Sequence, residues 1–223
     1  KVKRSGRTIA SCTYDELAAT LNELILSGPG PYIIEEHNPS VDGVDISTTV
    51  SKDGGKTYTE SKSIELTVEN HKPATVTFKN TYTLQGKIKG DKTVNGLKYY
   101  DEASIRSKIR FTIYRNNNGT LETYRTNVTL SELENGLIVP IGDYVVKESN
   151  VSNLGVPGYN GPTVTNQVDD GAVKSGSTSN GFTVVQNGTT TVHFTNSYTP
   201  DDDRTTFSLV KSVKGLVGIN GTE

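Results

Sequence analysis

The chain has 223 residues, a formal net charge of −2 and 32% hydrophobic residues, with no Trp and no Met. That balance points to no nucleic-acid or membrane surface, and the composition suits thin β domains with much exposed surface rather than a thick enzyme core. No run approaches the ~18 apolar residues of a membrane span. No signal peptide or cell-wall sorting motif stands in the sequence, so an exported protein would carry those outside these residues.

In chain order, the first strong signal is helical. "TYDELAATLNELIL" (13–26) sets Leu17, Leu21, Leu24 and Ile25 on one face, with Thr13 or Asp15 as cap and Gly28-Pro29-Gly30-Pro31 as an abrupt stop. Cys12 just before it is the single cysteine, which excludes an intramolecular disulfide and reads as a small buried hydrophobe or as an incidental residue beside the helix start. The rest reads as β. Alternating segments follow at 63–70, 108–115, 143–148, 181–186 and 189–198. Seven Asn-Gly pairs punctuate the chain, and Asn-Gly is a strong hairpin signal because both residues accept positive φ. The Asn-x-Ser/Thr sequons at Asn118, Asn127, Asn150 and Asn187 read mostly as turn residues.

The segments repeat. "PATVTFKNTYT" (73–83) matches "TTTVHFTNSYT" (189–199) at an offset of 116, so Phe78 and Asn80 correspond to Phe194 and Asn196. "YIIEEHN" (32–38) matches "YVVKESN" (144–150), so Glu36 corresponds to Glu148. "KTVNG" (92–96) resembles "KSVKG" (211–215), so Lys92 corresponds to Lys211. Three anchors sharing one period of roughly 115 residues indicate a tandem array of β domains, and the fold class is all-β, built as tandem β-sandwiches with one short helix in the first.

Within the complete repeat the order is Lys92 in the first strand, Glu148 in a middle strand and Asn196 in the last. Alternation puts Lys92 with Val94, Glu148 with Tyr144 and Val146, and Asn196 with Val192 and Phe194. Each polar residue continues an apolar face, so all three can enter one core. Two readings remain open on the residues alone. One is a buried Lys–Glu ion pair with Asn as a hydrogen-bonding neighbour. The other is chemistry: burial favours a neutral amine and a neutral acid, the amine attacks the Asn side-chain carbonyl, ammonia leaves, and a Lys–Asn isopeptide bond remains.

"GDKTVNG" (90–96), "GDYVVKE" (142–148) and "VHFTNSY" (192–198) resemble the motifs of the Cna protein B-type domains and related major pilin domains of Gram-positive bacteria. The resemblance covers 84–199 fully and 1–83 from the Glu motif onward. It implies immunoglobulin-like or prealbumin-like sandwiches, self-generated isopeptide bonds, and a structural role in the shaft of a pilus or the stalk of an adhesin on the cell surface. By it Lys92 and Asn196 form the bond and Glu148 promotes it, with Lys87, Lys89 and Lys98 as weaker candidates for the amine. The expected partners are other copies or neighbouring repeats in a fibre, with no cofactor and no turnover enzymology. The alternative class is a ligand-binding adhesin module of a cell-wall protein, meeting a host protein through loop 153–162 or the helix.

The ends depart from the pattern. Residues 1–83 read as the C-terminal part of a sandwich repeat that has Glu36 and Asn80 but lacks its Lys-bearing first strand; Lys1 and Lys3 do not fit that strand's motif. Residues 84–199 read as a complete repeat. Residues 200–223 read as a linker and the first strand of a further repeat, carrying Lys211, or as a donor strand to a neighbouring subunit. A segment of a longer array explains this; so does head-to-tail completion, with Lys211 of one subunit bonded to Asn80 of the next and Glu36 promoting the bond. Asp201, Asp202 and Asp203 read as linker rather than a Ca²⁺ site, and His37, His71 and His193 lack metal-ligand spacing, so no metal is expected.

Overall fold

The computed structural model describes residues 1–19, 28–98, 100–201 and 210, and of Ala18 and Ala19 only the backbone. Two β-sandwiches follow one another along a shared strand. The first opens with a hairpin of β1 (Val2–Arg4) and β2 (Arg7–Ala10), then α1 (Tyr14–Ala19), β3 (Gly30–Glu35), β4 (Val44–Ser51), β5 (Thr59–Glu60) and β6 (Ser63–Val68). One sheet has the order β2-β1-β3-β6. The lysine-rich start "KVKR" is therefore a strand, though not the missing one: β1 pairs with β2 and β3, and Lys3 bonds Glu35 rather than Glu36. The helix expected over 13–26 is described for Tyr14–Ala19; its later part lies outside the described residues.

The shared strand is β7 (Thr77–Asn95), nineteen residues long. Its first part, Thr77–Leu84, runs antiparallel to β4 and closes the second sheet of the first sandwich. Its second part, Lys87–Asn95, runs parallel to β15 (Thr189–Pro200) in the second sandwich. Between come α2 (Glu102–Lys108), β8 (Arg110–Asn117), β9 (Thr120–Thr129), α3 (Leu130–Asn135), β10 (Leu137–Pro140), β11 (Gly142–Glu148), a 3₁₀ turn (Val151–Leu154), β12 (Tyr159–Val168), β13 (Lys174–Ser175) and β14 (Phe182–Val184). One sheet is β14-β11-β8-β9; the other runs β13-β12-β15-β7, with β10 also on β7. The buried side chains of both sheets meet around Phe111, Ile113, Tyr144, Val192 and Phe194.

The repeat extends to topology. The order β2-β1-β3-β6 has the same antiparallel sense as β9-β8-β11-β14, and β5-β4-β7 matches β13-β12-β15. Helices α1 and α3 start on the same capping box: Thr13 and Glu16 bond each other's backbone N–H, as Thr129 and Glu132 do. Tyr32 Oη donates to Gly28 O four residues back, and Tyr144 Oη to Pro140 O. Among the described residues the first sandwich has no counterpart of β7's second half, the strand that lies beside the last one.

The Asn-Gly pairs do several jobs, and hairpin closure is one of them. Asn118-Gly119, both at positive φ, turns β8 into β9. Asn187-Gly188 instead joins β14 and β15, which lie in different sheets, so 181–198 is a crossover and not the hairpin that the dipeptide suggests. Gly136 caps α3, and Asn160-Gly161 sits at a register shift in β12. Positive φ is what these sites share, and it does not specify a two-strand turn.

Candidate functional site

The site lies between the two sheets of the second sandwich. Lys92 points inward because β7 alternates, with Gly86, Ile88, Gly90 and Lys92 buried and Lys89, Asp91 and Thr93 exposed. Gly90 lies under α3, where a Cβ would come within 2.5 Å of Leu133. Glu148 ends the inward face of β11, after Tyr144 and Val146, opposite Phe111 of β8. Asn196 follows Val192 and Phe194 on β15. In the parallel register Lys92 is level with Phe194, and Asn196 is two residues further on the same face.

Glu148 holds the other two residues. Lys92 Nζ donates to Glu148 Oε2 at 2.6 Å, and Asn196 Nδ2 to Glu148 Oε1 at 2.7 Å. The side chains of Lys92 and Glu148 have no solvent exposure, and Asn196 is fully buried. Phe194 lies 5.6 Å from the Lys92 nitrogen and stacks at a tilt on Phe111. Burial lowers the Lys92 pKa, the Glu148 charge and hydrogen bond oppose that shift, and the Arg106 guanidinium adds to it. Asn196 Oδ1 is buried with no hydrogen-bond partner. The heavy atoms of an amide fit either orientation, so a proton on Glu148 lets its hydroxyl face Oδ1 instead.

Arg106 of α2 is a site residue that no linear motif revealed. It donates to the Lys92 carbonyl oxygen and to Glu134 Oε1, both at 2.5 Å, and so ties α2 to β7 beside the lysine. Its only signal was position: Asp101 caps a short helix whose later basic residue faces the strand.

The first sandwich holds a related pair. Asn80 Nδ2 donates to Glu36 Oε1 at 3.0 Å, while Asn80 Oδ1 accepts from Thr48 Oγ1 at 2.8 Å and Asn38 Nδ2 at 3.1 Å. Glu36 Oε2, the counterpart of the oxygen that takes Lys92, is buried without a partner. Lys87 is half-buried and Lys89 and Lys98 are exposed, so the inward amine is that of Lys92. Lys211, Asp202 and Asp203 lie outside the described residues. Cys12 is a half-exposed thiol rather than a buried one. Tyr159, the aromatic of loop 153–162, bonds Lys98 through its hydroxyl and packs edge-on to Tyr100. Among the described residues no cluster of His, Cys, Asp and Glu has the makings of a metal site, and no helix is long and apolar enough to cross a membrane.

No family model and no curated protein matches the chain. Solved structures do. A bacterial adhesin from Mobiluncus mulieris, described as containing intramolecular disulfide, isopeptide and ester bond cross-links, is 13% identical over 76% of this chain and 88% of that one, at a TM-score of 0.33. The major pilin protein of Streptococcus pyogenes is 18% identical over 78% of this chain and 69% of that one, at 0.27. The pilus adhesin SpaC from Lactobacillus rhamnosus GG is 16% identical over 72% of this chain and 27% of that one, at 0.29. These neighbours are pilins and adhesins. At such scores the likeness carries no argument about chemistry, which rests on the buried triad.

Proposed function

We propose that the chain is a structural segment of the shaft or stalk of a bacterial surface fibre, displayed outside the cell, whose second sandwich staples itself with a Lys92–Asn196 isopeptide bond. The observation that carries this is the dry triad joining the first and last strands of that sandwich. A buried ion pair alone would need no third partner; here the same carboxylate bonds both would-be reactants.

The chemistry balances without a cofactor. Lys92 passes a proton to Glu148 along their short hydrogen bond, leaving a neutral nucleophile. Its nitrogen attacks Asn196 Cγ. The C–N bond to Nδ2 breaks, Glu148 delivers the proton that ammonia needs, and an amide remains. The fold supplies proximity. One event per molecule makes this self-modification rather than enzymatic turnover.

The topology gives the bond a mechanical role. Tension arriving along β7 from the first sandwich and leaving through β15 would shear two parallel neighbours. A covalent link from 92 to 196 carries that load directly and leaves residues 93–195 outside the force path. It also closes a loop of about 100 residues, which by analogy with disulfides stabilises by up to ~5 kcal/mol. Head-to-tail strand complementation between subunits is the extension we assign to the fibre.

Intact mass under denaturing conditions tests the bond. The chain should weigh one ammonia less than its sequence, and Glu148→Gln should restore the full mass. An unmodified wild-type mass would leave Lys92–Glu148 as an ordinary buried ion pair and remove the reading.

A further inference from the structure

Building on the shaft reading, we infer that the first sandwich is a covalent acceptor for the 206–214 segment of another copy of the chain, that its own tail cannot fill the site, and that the bond formed is Lys211 to Asn80 between molecules.

Three observations specify the acceptor. First, Thr77–Leu84 of β7 pairs with β4 along one edge, and among the described residues no strand pairs with Thr77–Thr83 along the other. That open stretch ends where Ile141 N–H donates to Leu84 O. Second, the side chains that a neighbouring strand would cover are uncovered. Tyr82 is 60% exposed where Tyr198 is 3%, and Phe78 is half-buried where Phe194 is 1%. Third, Glu36 already holds Asn80 on Oε1, and its buried Oε2 has no partner. Glu148 gives the equivalent oxygen to a lysine amine. An unpaired buried carboxylate oxygen is costly, and an amine delivered there relieves it.

The second sandwich gives the register. Its first strand runs parallel to the last with Lys92 level with Phe194. Applied to the first sandwich, the incoming lysine sits level with Phe78. The segment "TFSLVKSVK" (206–214) then puts Phe207, Leu209, Lys211 and Val213 on the inward face, as β7 puts Ile88, Gly90, Lys92 and Val94. Gly215 follows where Gly96 follows β7. The outward residues are Ser208, Val210, Ser212 and Lys214, and Val210 is 84% exposed in the single chain.

Reach excludes the chain's own 206–214 segment. In this register Val210 must stand level with Thr77, at the start of β7. Ser197, the last paired residue of β15, is level with Asn95 at its end. Eighteen residue steps of strand separate those levels, ~60 Å at about 3.3 Å per residue. Only thirteen steps of chain join Ser197 to Val210, at most ~47 Å fully extended. The chain also leaves β15 heading away from the first sandwich, because β15 and β7 are parallel, so it would have to reverse twice. A second copy placed head to tail has no such limit, and such contacts propagate rather than close.

The covalent step is the one above with Lys211 as nucleophile, Asn80 Cγ as electrophile, Glu36 as proton carrier and ammonia as leaving group. The test is the full chain incubated over a concentration series, denatured, resolved by mass, and peptide-mapped. Expected are covalent dimers and longer ladders that rise with concentration, each junction lighter by one ammonia and mapping to Lys211–Asn80. Lys211→Arg and Glu36→Gln should abolish the ladders while the Lys92–Asn196 link still forms. A synthetic peptide of residues 204–218 should be captured by the Lys211→Arg chain. Covalent monomers with an intact Asn80 amide and no captured peptide would overturn the inference; so would a Lys211–Asn80 link within one chain. If the 92–196 link is present in those monomers the shaft reading stands; if it too is missing, both fall.

Discussion

The two sandwiches share connectivity, capping boxes and tyrosine anchors, yet differ in what one strand does. In the second, the strand carrying Lys92 lies beside the last strand, and nineteen apolar side chains among the described residues are buried. In the first, the described residues bury three, Val2, Tyr32 and Val50. The same positions that are sealed around Asn196 are open around Asn80. The comparison teaches that the polar triad and the core depend on the same strand: it brings the amine, and it also excludes the water that would keep that amine charged.

The largest difference should come from removing the proposed bond. Asn196→Ala should lower the stability of the second sandwich by ~5 kcal/mol, the entropy of the loop it opens. The corresponding Asn80→Ala in isolated chains should change the first far less, since no bond forms there. Calorimetry that resolves two transitions checks this.

Next is burial. Tyr198→Ala should cost the second sandwich ~3 kcal/mol, as for a large core side chain, whereas Tyr82→Ala at its exposed counterpart should stay within ~0.5 kcal/mol until a donor strand covers it. Chemical denaturation with and without the 204–218 peptide gives both numbers.

The unreacted lysine should also show itself in pH. In Asn196→Ala, Lys92 keeps its lowered pKa, facing Glu148 and Arg106. The folded state then binds fewer protons than the unfolded chain from that lowered value up to the ordinary lysine pKa of ~10.4. Stability of the second sandwich should therefore rise with pH across that window. On the isopeptide reading the wild-type nitrogen is an amide, and the wild type should lack that slope in denaturation midpoints.

The smallest effect is a matched one. Thr13→Ala and Thr129→Ala each remove one capping hydroxyl and should cost about 1 kcal/mol apiece. Equal losses would confirm that local structure repeats where the core does not.

Much of this was legible in the sequence because it is local or periodic. Alternation placed Lys92, Glu148 and Asn196 on inward faces, and the offsets of Tyr32 and Asn80 gave the repeat. The α3 cap was equally readable, as Thr129-x-x-Glu132, though the short helix sits in a region that otherwise alternates. What was hidden is non-local. Nothing in one dimension says that Asn187-Gly188 changes sheets, since positive φ serves a crossover as well as a hairpin. Nothing in the sequence brings Arg106 to the Lys92 carbonyl, because that contact depends on how α2 lies on β7. The continuity of Thr77–Leu84 and Lys87–Asn95 as one unbroken strand is equally invisible in one dimension, and it decides how far the tail can reach.

The most direct test of the central claim is a peptide map of the denatured, freshly purified monomer. The Lys92 and Asn196 peptides should be joined and lighter by one ammonia, beside an Asn80 peptide with its amide intact. Separate, unmodified Lys92 and Asn196 peptides would contradict it.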